Sequence, residues 1–186
     1  MEFRYAAEGD VTAMAALFAA NHRDALTEGQ RTAHGFVQGT FDAAVLTAMV
    51  AKRALLVADD AGRVAGLLGL CPAGEVGESS PPVAGLLAAQ GALEWQGRPL
   101  SEVRWLLYGP VVVDAAYRGH GVARGLFRMA VGEAAGRAEA VVAFIEDGNA
   151  TSWKVHVDGF GMTPLGGYVA AGRSYTAVAA PVGTAV

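Results

Sequence analysis

Val111-Val112-Val113-Asp114-Ala115-Ala116-Tyr117-Arg118-Gly119-His120-Gly121-Val122-Ala123 decides the reading of this chain. A β-branched run stops, a polar turn follows, and a glycine-spaced segment opens an amphipathic helix. Glycines at 119 and 121 remove the Cβ atoms that would keep a ligand away from the backbone. A helix start presents N–H groups with no intrahelical acceptor, together with the positive end of its dipole. Backbone amides aimed outward there form a site for a pyrophosphate. Arg118 adds a guanidinium at the rim, suited to phosphate oxygens. The spacing predicts a helix over 122–135, with Ala123, Leu126, Phe127, Ala130, Val131 and Ala134 on one apolar face and Gly136 as its stop. Taken alone, Arg-x-x-Gly-x-Ala also fits an ordinary strand-to-helix turn in a chain with 25 glycines.

The flanks support the ligand reading. Val103 to Val113 reads as a central strand interrupted at Gly109-Pro110, where proline cannot donate to a ladder and marks a bulge or break. Ala138 to Ile145 reads as its neighbour, Asn149 to Val157 as a short helix, and Met162 to Ala170 with Arg173 to Pro181 as a hairpin turning at Ala171-Gly172. Upstream, Phe3 to Ala6 is a short strand and Asp10 is positioned to cap a helix carrying Val11, Met14, Leu17 and Phe18 inward. Thr40 or Asp42 starts the next helix, with Phe41, Val45, Leu46 and Met49 as its apolar stripe. Ala54 to Ala58 and Val64 to Leu70 flank Asp59-Asp60-Ala61-Gly62, a hairpin turn signal.

Val113-x-x-x-Tyr117-Arg118-Gly119-x-Gly121-Val122-Ala123 resembles the acetyl-CoA signature of the GNAT superfamily of N-acyltransferases. A second match follows in order: Phe144-Ile145 ends a strand, then come Asn149, Ser152 and His156, and Gly161-Met162 opens another strand. Residues 103 to 181 match well, residues 1 to 71 match in element order only, and residues 72 to 102 do not match. The resemblance implies an α/β (α+β) fold: a mixed, mostly antiparallel sheet of about seven strands flanked by helices. It also implies a V-shaped splay between two central strands that frees backbone groups for pantetheine. One domain over 1–186 is expected, with 72–102 as an insertion before the central strand.

Within that resemblance, Arg118, Gly119, His120, Gly121, Val122, Ala123 and Arg124 would hold the CoA pyrophosphate. Val111 and Val113, two residues apart on one ladder edge, would pair with pantetheine; Asn149 would cap its helix and bridge to the neighbouring strand or CoA, and Ser152 and Trp153 on its first turn would lie close to the pantetheine path. The N–H of Val111 is the candidate oxyanion donor, since Pro110 has none. Glu146, just past the strand, is the leading candidate to take a proton from the incoming ammonium, with Asp147, Glu102 and Glu94 as alternatives. Against it stands the reading of Glu146 and Asp147 as solvated turn residues. Many family members carry a tyrosine seven residues after the Asn, serving the departing sulfur; here that position is His156, which can do acid work near neutral pH. His156 could equally pack against the sheet or bond a carbonyl, and Tyr108, Tyr168 and Tyr175 are alternative acids.

Bulk properties bound the alternatives. Apolar residues make up 53% of the chain, and a net charge of −4 argues against a general nucleic-acid binder. Cys71 is the only cysteine, so there is neither an internal disulfide nor a multi-cysteine metal site, and it reads as a small core residue. His22 and His34 have no ligand spacing, so no metal is expected. No signal peptide or membrane-spanning run is read, which predicts a cytoplasmic protein. The expected co-substrate is acetyl-CoA and the expected partner a small-molecule or peptide amine, without nucleic acid or membrane; a homodimer is left open. Pro72 to Ser101 forms a loop through Gly74, Gly77, Ser79, Ser80, Pro81 and Pro82, then a helix over 83–95. There Leu86 and Trp95 would cover core, form a subunit interface or wall a pocket. Gly119, Gly121 and Gly125 also make a loose dinucleotide fingerprint, but five residues separate them from the strand and too little chain follows for further βα units. The rival to an acetyltransferase is a non-catalytic acyl-CoA sensor or partner-binding module of the same fold.

Overall fold

The alternation expected of Val111-Val112-Val113 is present: Val112 is buried in an apolar core while Val111 and Val113 are only half-buried on the other face. The computed structural model describes residues 1–76 and 80–183, so Gly77 and Ser79 of the expected loop lie outside the described residues. In chain order the elements are β1 (Glu2–Tyr5), α1 (Val11–Asn21), α2 (Glu28–His34), α3 (Ala43–Ala51), β2 (Leu55–Asp60) and β3 (Arg63–Cys71). Then come α4 (Ala73–Val76), α5 (Pro81–Ala89), β4 (Glu94–Trp95), β5 (Arg98–Pro99), β6 (Trp105–Val113) and α6 (Val122–Ala134). The chain continues as β7 (Ala140–Glu146), α7 (Ala150–Trp153), β8 (Thr163–Ala170) and β9 (Arg173–Pro181).

Seven strands form one sheet in the order β1-β2-β3-β6-β7-β9-β8, and β4 with β5 make a separate two-stranded ribbon. Neighbours β1/β2, β2/β3, β7/β9 and β8/β9 are antiparallel. Between β3 and β6 the approaches run in opposite sequence order: Asp114 N–H donates to Ala65, Gly66 meets Val112 and Gly69 meets Gly109. Strands β6 and β7 pair in parallel, as a strand–helix–strand crossover through α6 requires. Their ladder holds Trp105 to Leu107 against Ala140 to Val142, while β6 continues to Val113 and β7 to Glu146. The fold is the mixed, mostly antiparallel α/β class expected from the sequence.

The chain forms two compact units, Met1–Leu70 with Tyr108–Ala130, and Cys71–Leu107 with the residues from Val131 on. In the first, Val11, Met14, Leu17 and Phe18 from α1 pack with Leu46, Leu55, Val57, Leu67 and Val112. Phe41 stacks on Phe18 with ring centroids 4.2 Å apart. Burying such side chains contributes about 1.5–3 kcal/mol each. Gly125 is a packing glycine, because the Phe3 ring lies where any Cβ would be. In the second unit α5 lies on β8, with Tyr168 and Ala170 against Gly85, and Leu86 and Trp95 are buried. Core cover is therefore the role that the described residues show for Leu86 and Trp95.

Several local expectations are corrected. Asp10 does not cap α1; its carboxylate is turned to Arg4 at 2.7 and 3.0 Å and to the Ala7 N–H at 2.7 Å instead of to the helix. Asp42 does cap α3 through the Val45 N–H at 2.9 Å, but Val45 itself is 41% exposed, and Leu46 carries the inward face. The most buried row of α6 is Val122, Leu126, Ala130 and Ala134, with Ala123, Phe127 and Val131 at its half-buried margin. The helix expected over 83–95 stops at Ala89 and gives way to the small ribbon around Gln96-Gly97. The helix expected over 149–157 becomes a single α-turn followed by a wide π-type turn over Lys154–Gly159.

Candidate active site

The segment after β6 is shaped residue by residue. Asp114 caps a 3-10 turn over Ala115–Tyr117 by accepting from Ala116 N–H at 2.8 Å, and Arg63 grips its other oxygen at 2.8 Å. The Tyr117 hydroxyl donates to Asp60 at 2.9 Å. Gly119 and Gly121 then take φ of 78° and 80°, in the left-handed region that favours glycine, and a Cβ on either would meet nothing within 4 Å. Gly125 N–H bonds the Gly121 carbonyl at 2.9 Å and closes the first turn of the thirteen-residue α6. Helix geometry leaves the N–H groups of Val122 and Ala123 with no acceptor inside the helix. Open space over two glycines, helix N–H groups and a guanidinium are what a pyrophosphate requires.

Two further contacts finish this loop. The Arg118 Nη2 donates to Asn21 Oδ1 at 2.8 Å, and His120 Nδ1 lies 2.8 Å from the Arg118 carbonyl. Asn21, at the end of α1, escaped the sequence reading. A lone Asn closing a helix carries no signal of a partner 97 residues away.

In the second unit, β7 runs into a turn at Asp147-Gly148. Glu146 is only 9% exposed and accepts from Arg173 Nη1 at 2.8 Å. Asn149 caps α7, its Oδ1 accepting from Ser152 N–H at 3.2 Å. Ile145, Glu146, Gly148, Asn149, Trp153 and Thr176 line a shallow open cleft at this corner. His156 is buried, with Phe160 edge-on at 5.4 Å. Its Nδ1 lies 2.8 Å from the Ser152 carbonyl and 3.2 Å from the Ser152 hydroxyl. A carbonyl only accepts, so Nδ1 carries the proton and donates. Burial pushes the pKa of His156 down, opposed by that hydrogen bond, and the ring is held neutral with its proton on Nδ1.

Of the alternative proton carriers, Asp147 lines the same cleft and Tyr175 stands opposite Glu146 in the β7/β9 ladder. Tyr168 donates to the Pro82 carbonyl at 2.9 Å and stacks on Tyr175, and burial pushes its phenol up. Burial does the same to Tyr108, which packs edge-on to Phe127 at 5.8 Å. Glu94 and Glu102 are exposed, and the Glu102 carbonyl accepts from Arg98. His22 accepts from Asp24 N–H at 3.3 Å, His34 is exposed at the end of α2, and Cys71 is buried. No group of three or more metal-ligating side chains occurs among the described residues. No helix among them is long and apolar enough to cross a membrane.

The architecture is shared with solved acetyltransferases. A ribosomal-protein-alanine N-acetyltransferase from Brucella melitensis is 19% identical, with 97% of this chain and 99% of that chain covered at a TM-score of 0.63. A GNAT family acetyltransferase from Streptococcus agalactiae gives 13% identity, coverages of 99% and 96%, and a TM-score of 0.67. A GNAT acetyltransferase from Brucella melitensis in complex with acetyl-CoA gives 18%, 100% and 90%, and 0.52. At these identities the likeness is one of fold. Residues 11–162 match the Acetyltransferase (GNAT) family, and the chain belongs to it. No curated protein sequence matches the chain.

Proposed function

We propose that this protein transfers an acetyl group from acetyl-CoA to a primary amine of a small molecule or peptide, by direct attack within a ternary complex. The observation that carries the reading is the cradle of Gly119 and Gly121 opening onto the start of α6, with Arg118 beside it. Backbone N–H groups and a guanidinium bind a diphosphate without needing a particular base or acyl chain. Acetyl-CoA is the co-substrate this family uses, and the neighbour solved with acetyl-CoA supports the same ligand here.

The chemistry needs a held thioester, a neutral amine, a stabilised oxyanion and a proton for the leaving thiolate. Val111 and Val113 present one half-buried edge of β6, suited to pantetheine amides. We assign the Val111 N–H to the oxyanion, His120 and Arg124 to the phosphate side, and Asn149 with Ser152 to the pantetheine side. Glu146 is assigned proton acceptance from the ammonium, where Arg173 both orients its carboxylate and competes for it. His156 is assigned to the leaving sulfur. Because its neutral ring keeps the one proton on the Ser152 carbonyl, donation to sulfur requires the doubly protonated form. Turnover of acetyl-CoA against a panel of primary amines, read as free thiol released, tests the reading. Activity with any amine supports it.

The same two residues favour a second reading. Glu146 in an ion pair and His156 in a neutral, buried setting are also what an acyl-CoA-binding sensor of this fold would retain. Tight CoA binding with no thiol release across the panel would select that alternative.

A further inference from the structure

We propose that Asn21 is a positioning residue for diphosphate recognition, acting from the end of α1 by holding the Arg118 guanidinium beside the glycine cradle. The inference rests on the acetyl-CoA reading above. Asn21 is 9% exposed, and its side-chain amide is bonded at both ends. Its Nδ2 donates to the Leu17 carbonyl at 2.9 Å, which fixes which way the amide faces. Its Oδ1 accepts from Arg118 Nη2 at 2.8 Å, and its backbone carbonyl accepts from Val37 N–H at 3.0 Å. The holder is therefore itself rigid.

The choice of partner matters as much as the distance. A neutral amide anchors the guanidinium without neutralising it, as a carboxylate would. Asp114 acts on Arg118 through space, but its own oxygens are taken by Arg63 at 2.8 Å and Ala116 N–H at 2.8 Å. Arg118 Nε and Nη1 make no hydrogen bond among the described residues. Long arginine side chains lose rotamer freedom when they bind, and one already anchored has less to lose. Asn21 thus serves the diphosphate and not the thioester.

The test compares CoA with pantetheine, which lacks the diphosphate, on the full chain. Asn21→Ala is expected to weaken CoA binding by calorimetry about tenfold, equivalent to about 1.4 kcal/mol. Pantetheine binding, followed by ligand-observed NMR, should stay within twofold. In an Arg118→Gln background the Asn21→Ala effect on CoA should vanish, since the acting group is gone. Equal loss of both ligands would overturn the proposal in favour of a merely structural role, and so would unchanged CoA affinity. If Asn21→Ala fails to fold, Asn21→Asp keeps the shape but pairs the guanidinium with a charge. It should then weaken CoA at least tenfold and leave pantetheine unaffected, and full CoA affinity would overturn the proposal. Failure of the unaltered chain to bind CoA overturns the acetyl-CoA reading and this inference together.

Discussion

The glycine cradle before α6 and the corner between β7 and α7 are built on opposite principles. The cradle uses backbone: two glycines at positive φ and helix N–H groups, open to a ligand without rearrangement. The corner uses side chains that each already hold a partner. Glu146 holds Arg173, Asn149 holds the Ser152 N–H and His156 holds the Ser152 carbonyl. On the proposed function the cradle binds through backbone already in place, whereas Glu146 and His156 must release or share a bond to carry a proton. Substitutions at the two places should therefore fail differently.

The largest contrast is expected from Glu146→Gln. General acid–base catalysis is typically worth about 10² to 10⁴ in rate, so kcat should fall within that range while CoA affinity stays near the unaltered value. Equal loss of kcat and CoA affinity would erase the distinction between the regions. Gly125→Ala comes next. Its methyl would overlap the Phe3 ring, and overpacking costs about 1–3 kcal/mol, so the melting temperature should fall while the folded fraction still binds CoA. An unchanged melting temperature would mean that Phe3 moves aside freely.

His156→Phe is smaller. A fall in kcat of more than about fivefold with intact CoA binding is the general-acid outcome; less would leave His156 as a packing residue. The same variant has a second readout. The folded His156 pKa lies below the unfolded value of about 6.5, so between those values the unfolded state binds more protons. Stability is full above about pH 6.5 and declines as pH falls toward the folded pKa. His156→Phe should flatten the melting temperature between about pH 7.5 and 5.5. The smallest effect is expected from the Arg4 ion pairs, which are part of neither region. Arg4 bonds hold the Asp10 and Asp59 carboxyls below their usual range, so their contribution is present above about pH 4 and lost as pH falls through the lower folded values. Arg4→Met should remove that acid-sensitive share in melting curves taken below about pH 5 without changing CoA affinity.

The same contrast explains what the sequence revealed. The cradle was legible because glycine, β-branched and apolar spacing encode local backbone, and Gly119, Gly121 and α6 stand where that spacing put them. The mixed, mostly antiparallel class of the sheet came with the family resemblance, whereas its strand order, with β9 between β7 and β8, was not read from the sequence. The corner was legible only as positions. Nothing in Glu146-Asp147-Gly148-Asn149 announces Arg173, and nothing around His156 announces a π-type turn that bends its ring onto Ser152. Asp10 failed for the same reason, since Arg4 outcompeted the helix for its oxygens. Gly125 was read as part of a loose nucleotide pattern, and tertiary contact with Phe3 gives it a packing role instead.

The central claim is that backbone around Gly121 receives the CoA diphosphate, and one comparison tests it most directly. Acetyl-CoA should raise the melting temperature of the unaltered protein, since a ligand that binds only the folded state stabilises it by mass action. NAD(H) and ATP should do less at equal concentration. In Gly121→Val a side chain would fill the open phosphate space at a φ of 80°, and the acetyl-CoA shift should disappear. A full shift in a folded Gly121→Val protein would contradict the account and put the nucleotide elsewhere.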